Sequence, residues 1–260
     1  MNILDSIIAK KRIEVAQRKT RATISELEAG PFFKNETLSF KEFLLRDDKT
    51  GIIAEFKRRS PSKGIININS TVEEVTTAYA TYGASGISIL TDEEFFGGSL
   101  NDLLAATINE LPLLRKDFII DEYQLIESKS YGAEVILLIA ACLNKQEVKK
   151  LSAFAKNIGL NVLLEIHNEM ELEHICDDVD VVGVNNRDLR TFTVSIERSI
   201  NLSTLIPVDK VKISESGIDD IATIQLLKEH GYKGFLIGEK FMKEDDPAKA
   251  FRDFSVRLRS

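Results

Sequence analysis

The run Ile52-Ile-Ala-Glu-Phe-Lys-Arg-Arg-Ser-Pro-Ser-Lys-Gly64 passes without a break from apolar residues into charge, hydroxyl and glycine. At the two-residue period of a strand, Glu55 and Lys57 share one face, so a carboxylate and an ammonium emerge side by side near a strand end. That is an acid–base pair at the place where a buried strand opens into an active site. Ser60, Pro61, Ser62 and Gly64 then form a polar loop able to fold over a ligand as a closing lid. An isolated E-x-K is equally well read as a surface ion pair followed by a turn. Which reading holds depends on the elements that carry the remaining polar groups.

Those elements recur as a unit after residue 50: a short β-branched run, a polar or glycine-containing loop, then an amphipathic helix. Eight strands are expected, over 52–57, 86–91, 111–116, 134–140, 161–166, 181–186, 211–216 and 234–239. Helical patterns lie between them over 70–82, 121–131, 144–158 and 219–230, with a last one over 246–255; Ser70-Thr-Val-Glu73 fits a capping box. Near-continuously apolar strands alternating with helices imply an α/β protein whose parallel sheet is covered on its outside. Eight units over about 210 residues fit a closed (β/α)8 TIM barrel, and no G-x-G-x-x-G turn follows the first strand to favour an open doubly wound sheet. Residues 1–50 read as an N-terminal helical extension packed on the barrel, with Ile3, Leu4, Ile7 and Ile8 on one face and Phe40, Phe43 and Leu44 on another. Residues 1–260 thus form one expected domain, and no Pro-, Gly- or Ser-rich linker divides it.

Composition narrows the function. With 43% hydrophobic and 29% charged residues the chain has the profile of a globular protein rather than a disordered or fibrous one. A net charge of -7 argues against wholesale phosphate neutralisation on a nucleic acid. No apolar run approaches the roughly 18 residues of a membrane span, and the first residues lack a continuous apolar signal region. A cytoplasmic protein is expected, binding neither membrane nor nucleic acid, with a monomer as the expected form. Cys142 and Cys176, in no CxxC spacing, read as small core residues. His167, His174 and His230 lie far apart, and only His167 is near a strand end; none is expected to be catalytic or to hold a metal.

In a barrel the site lies at the carboxyl ends of the strands, and here those ends are polar. They carry Glu55, Lys57 and Ser60, then Glu94-Phe-Phe-Gly-Gly-Ser99, Lys116-Asp-Phe118, Glu165, Asn185-Asn-Arg-Asp188, Glu215-Ser-Gly217 and Gly238-Glu239. An unpaired charge is costly there, so convergence of so many on one face points to catalysis. After strands seven and eight, Ser216, Gly217 and Gly238 suit a phosphate approached by backbone N–H groups. Lys57 or Arg187 would supply the countercharge. A small anionic substrate is expected.

The motifs E-x-K-x-x-S-P-S-x-G, K-D-F, N-x-R-D-L and E-S-G-I, with the glutamate after strand five, resemble the indole-3-glycerol phosphate synthase family. The resemblance implies decarboxylating and dehydrating ring closure of 1-(2-carboxyphenylamino)-1-deoxyribulose 5-phosphate, a step of tryptophan biosynthesis that needs no metal or organic cofactor. It implies Lys116 as general acid, with Glu165 and Glu55 as further acid–base groups and Lys57 holding Glu55 or the substrate; the division of roles stays open. Asn185 would bind a substrate hydroxyl. Ser216 would fix a carboxylate or line the phosphate loop, and Arg187, Gly217, Gly238 and Glu239 mark the phosphate region. Ser60 and Pro61 would cover the substrate. Phe96, Phe118, Leu137, Ile139 and Leu189 are candidates for an apolar slot, with core packing competing for Leu137 and Ile139. Arg58 would meet the substrate carboxylate or remain solvated. Two other readings stand beside this one: another phosphate-binding barrel, of the phosphoribosylanthranilate isomerase or tryptophan synthase α type, and a non-catalytic barrel that binds phosphometabolites.

Overall fold

A computed structural model describes residues 3–188 and 191–260, and in it the apolar runs close into an eight-stranded parallel barrel. The strands are β1 (Ile52–Phe56), β2 (Gly86–Leu90), β3 (Leu113–Lys116), β4 (Val135–Ile139), β5 (Asn161–Ile166), β6 (Val181–Asn185), β7 (Val211–Glu215) and β8 (Gly234–Ile237). β1 pairs with both β2 and β8, which leaves the barrel without a free edge. Most strands stop a residue or two short of their sequence-expected ends because the backbone there turns into the loops. Ser216, for example, has a φ of 67° and cannot continue β7.

Alternation along each strand divides the core. Ile52, Ala54, Phe56, Ile136, Leu138, Val182 and Val184 face the surrounding helices. Ile53, Leu114, Leu137, Leu163, Val181, Ile213 and Leu236 fill the barrel itself, and Phe40 and Leu44 close its lower end. The helix over 72–81 starts one residue later than its sequence pattern suggests, because Thr71 rather than Ser70 accepts the capping bond from the Glu74 N–H. Asn144 and Glu147 form the reciprocal capping box of the helix over 145–157. The stretch after β1, read as a loop, contains a small antiparallel hairpin pairing Arg59 with Ile65 and Ser60 with Gly64. Arg59 fastens it by donating to the backbone carbonyls of Glu93 and Glu94.

The N-terminal helices are α1 (Ile3–Arg21), α2 (Ile24–Glu28) and α3 (Phe40–Leu45). α1 crosses the upper rim of the barrel, where Ile3, Leu4 and Ile7 line the central cleft; Ile8 faces a separate groove with Arg12 and Cys142. Lys11, one turn beyond Ile7, is buried, with its ammonium 2.8 Å from Asp92 and 2.9 Å from Asp117. Burial alone would lower its pKa, but these carboxylates and Glu14 raise it, so the charge is retained. Asp117 in turn meets Arg115, which reaches Glu127. Removing the cation takes from buried Asp92 its ion-pair partner and leaves buried Asp117 with Arg115 alone. Lys11→Ala is therefore expected to cost about 3–5 kcal/mol of stability, measured by urea denaturation; a change below about 1 kcal/mol would show that the network does not anchor α1.

Candidate active site

Parallel register sets the inner layer at the carboxyl ends. Ile139 lies opposite Glu165, and Asn185 opposite Glu215, so all four side chains turn into the barrel mouth. Lys116 enters the same layer from β3. Its ammonium stands 2.7 Å from Glu165 Oε2 and 3.2 Å from Glu215 Oε2. Burial works against the charge, yet the carboxylates of Glu165, Glu215 and Glu55 outweigh it and raise the Lys116 pKa. The same contact, with His167, holds the buried Glu165 well below the usual carboxylate range.

Glu215 behaves oppositely. Burial and the neighbouring Glu165 raise it to about 7 in spite of Lys116, and its Oε1 is buried without a hydrogen-bond partner. A side chain at Gly183 would stand 2.4 Å from that oxygen, so glycine in β6 is what leaves room for the carboxylate. Asn185 joins the cluster by donating through Nδ2 to Glu165 Oε1 at 3.2 Å, while its Oδ1 accepts from Ser216 Oγ at 2.9 Å and from the Arg187 N–H at 3.0 Å. Ser216 keeps its left-handed backbone partly through its carbonyl, which accepts from Asn186 Nδ2 at 3.0 Å. Ser216 Oγ thus touches the cluster through Asn185, and the residue also lines the polar pocket at the other end of the cleft.

Across the mouth, Lys57 Nζ lies 2.8 Å from Glu55 Oε1. Gly238 allows this placement, since a Cβ there would come within 2.7 Å of the same oxygen. Its lack of a side chain thus makes space for Glu55.

The cleft above these groups encloses about 1030 Å³, open mouth included. One wall is apolar: Phe96 and Phe118 pack with ring centroids 6.3 Å apart, and Leu137 and Ile139 of β4 also line the cleft. Both β4 residues therefore line the cleft as well as the barrel core. Ser60 and Pro61 of the hairpin approach from above. The other end continues into a polar pocket lined by Lys57, Lys63, Arg187, Ser216, Gly217, Gly238 and Glu239. Glu239 pairs there with Lys63 at 3.5 Å and Arg187 at 3.9 Å.

One expected position falls elsewhere, and one is not among the described residues. Arg58 is outside the cleft lining, bound bidentately to Asp102 at 2.5 and 2.9 Å and stacked over the Phe56 ring. Leu189 lies outside the described residues. The sequence reading in turn passed over Glu215 as a partner of Lys116, His167 beside Glu165, and Lys11 beneath α1. Each has a signal in hindsight: Glu215 sits two residues past Ile213, His167 two past Glu165, and Lys11 one turn past Ile7. Among the described residues no group of three or more His, Cys, Asp or Glu is arranged to hold a metal ion, and no helix is long and apolar enough to cross a membrane.

Comparison with known proteins matches residues 4–254 to the family model described as indole-3-glycerol phosphate synthase. A protein of Bacteroides thetaiotaomicron with that name is 47% identical over 254 residues, covering 97% of each chain. One from a Polaromonas species is 39% identical and covers 96% of each. Among solved structures, the tryptophan synthase α subunit of Legionella pneumophila superposes with a TM-score of 0.61 at 12% identity, over 85% of this chain and 96% of that one. The 3-hexulose-6-phosphate synthase of Salmonella typhimurium gives 0.60 at 13% identity, over 80% and 97%; at such identity these two share the fold alone. The match along nearly the whole length, with Glu55, Lys57, Lys116, Glu165 and Asn185 gathered at one barrel mouth, places the chain in the indole-3-glycerol phosphate synthase family.

Proposed function

We propose that the cleft converts 1-(2-carboxyphenylamino)-1-deoxyribulose 5-phosphate to indole-3-glycerol phosphate, carbon dioxide and water, with the roles divided as follows. The observation that carries this reading is the Lys116 ammonium held between Glu165 and Glu215 in a cleft that has an aromatic wall and continues into a polar pocket. The carboxyphenyl ring lies against Phe96, Phe118, Leu137 and Ile139. The phosphate lies toward Lys57, Arg187, Gly217 and Gly238. Glu239 would repel a phosphate directly, so it acts on the substrate through Lys63 and Arg187.

Ring closure joins the ring carbon that bears the carboxylate to the ketone carbon. As that bond forms, the ketone oxygen gathers charge and becomes far more basic than an amine, and Lys116 protonates it. Loss of carbon dioxide restores the aromatic ring. Glu215, which carries a proton near neutrality and lies within reach, returns one to Lys116. Dehydration follows: the nitrogen lone pair expels the new hydroxyl as water with a proton from Lys57, and Glu55 takes the proton from the adjacent methylene carbon. The overall reaction takes up one proton, matching the carboxylate lost as neutral carbon dioxide. Asn185 binds a substrate hydroxyl and holds Glu165 in place.

Incubating the purified protein with the substrate and following indole fluorescence tests the reading; tight binding of a phosphate ester without indole product would replace it with a non-catalytic binder. In that assay Lys116→Ala is expected to lose about 10³-fold in kcat with an unchanged circular dichroism spectrum, and near-normal kcat would remove Lys116 from its role. Glu215 also gives a stability signature. Its folded pKa of about 7 exceeds its ordinary value of 4.5, so the stability tied to its protonated form is complete below about pH 4.5 and lost as pH rises through 7. Glu215→Gln lacks that loss. Relative to the parent it should gain on the order of 2 kcal/mol between pH 5 and pH 8, read as a Tm difference that grows with pH; a pH-independent difference would refute the protonation assigned to Glu215.

A further inference from the structure

His167 follows Glu165 by two residues and enters the barrel mouth from the end of β5, where it is almost wholly buried. Its Nε2 is 3.3 Å from Glu165 Oε1, at ion-pair range but not aligned as a hydrogen bond. On the other side, Nδ1 is 3.3 Å from Glu171 Oε2, and the His167 backbone N–H donates to the same oxygen at 2.7 Å. Glu171 belongs to the short 3-10 helix over 169–174, and its second oxygen accepts from Asn168 Nδ2 at 2.7 Å. The Cys142 thiol, also near, is pushed up by burial and by the two glutamates, so it remains neutral. A ring with a carboxylate at each nitrogen is stabilised with both nitrogens protonated.

We propose that His167 is a positioning residue for the ring closure: clamped by Glu171, its imidazolium holds the Glu165 carboxylate ionised and directed at Lys116. Glu165 then serves as the fixed anion that orients the ammonium, while the mobile protons belong to Lys116, Glu215, Lys57 and Glu55. The geometry supports this on each bond. Oε2 of Glu165 is committed to Lys116, and Oε1 is shared by Asn185 and His167, so a proton added to Glu165 would have to displace one of three positive or donor groups. Burial would lower the pKa of His167, but Glu165 and Glu171 raise it to about 9, leaving the imidazolium intact through neutral pH. Above that value the clamp weakens and Glu165 is held by Lys116 and Asn185 alone.

The inference rests on the proposed reaction, and one set of pH profiles separates the two. Loss of the Glu215 proton sets a first fall in kcat near pH 7, and the parent protein should show a second basic limb near pH 9, where the imidazolium is lost. His167→Gln should lower kcat about tenfold with KM within about threefold and lose that limb. Glu171→Gln keeps the ring but removes its clamp; it should move the limb about one unit toward lower pH, and it carries the test alone if His167→Gln does not fold. Parental activity in all three proteins with superimposable profiles would overturn the role of His167 while leaving the reaction intact. Loss of Tm and activity in parallel with an unshifted limb would overturn it as well, since that is the signature of a purely structural contact. No product from the parent protein would overturn both readings.

Discussion

Charge balance inside the barrel mouth is the constraint from which the rest of the arrangement follows. Lys57, Lys116 and His167 face Glu55, Glu165 and Glu171, leaving Glu215 as a fourth carboxylate. Burying an uncompensated charge costs several kcal/mol, so no member can be ionised without regard to the others. The surplus is accommodated where desolvation is strongest: Glu215 takes up a proton near neutrality because three cations already have their anions. A carboxylate with a raised pKa beside the Lys116 ammonium is thus a result of the count of buried charges as much as of any single contact.

Packing serves that balance. Gly183 has no side chain to collide with the Glu215 carboxylate, and Gly238 has none to collide with that of Glu55. Asn185 cannot rotate without breaking bonds to Glu165, Ser216 and the Arg187 backbone, which couples the buried charge cluster to the loops that line the polar pocket. A second buried network runs on the far side of β3. Asp117, next to Lys116 in sequence, turns outward to Lys11 and Arg115, so α1 is tied to the very strand that delivers the central ammonium. The apolar residues Ile3, Leu4 and Ile7 then shield the cleft, and water exclusion strengthens the electrostatic effects within it.

Much of this was legible in the chain. Period-two spacing in Ile52–Lys57 places Glu55 and Lys57 on one face, and the closed barrel turns that face inward. The apolar alternation Val135, Leu137, Ile139 likewise marks inward positions, though sequence could not decide between core and cleft; at the top layer of a barrel the two coincide. Arg58 shows where spacing falls short. It lies in the first motif, yet it turns to Asp102, 44 positions away, while Glu239, after β8, meets Lys63 and Arg187 from two other loops. A side chain that can reach several partners chooses by distance in space, which local pattern does not encode.

The sequence by itself determined the strand and helix order, the inward faces of the strands and the gathering of acid, base and cation at one end, because these follow from local periodicity and from the closure rule of repeated βα units. Tertiary structure alone decided which carboxylate Lys116 would share, that Glu215 would be the one to hold a proton, and that His167 and Lys11 would be buried among anions. Those outcomes depend on distances of a few ångströms between residues scores of positions apart and on how much water the packing removes. Such electrostatic energies exist only after the barrel has closed.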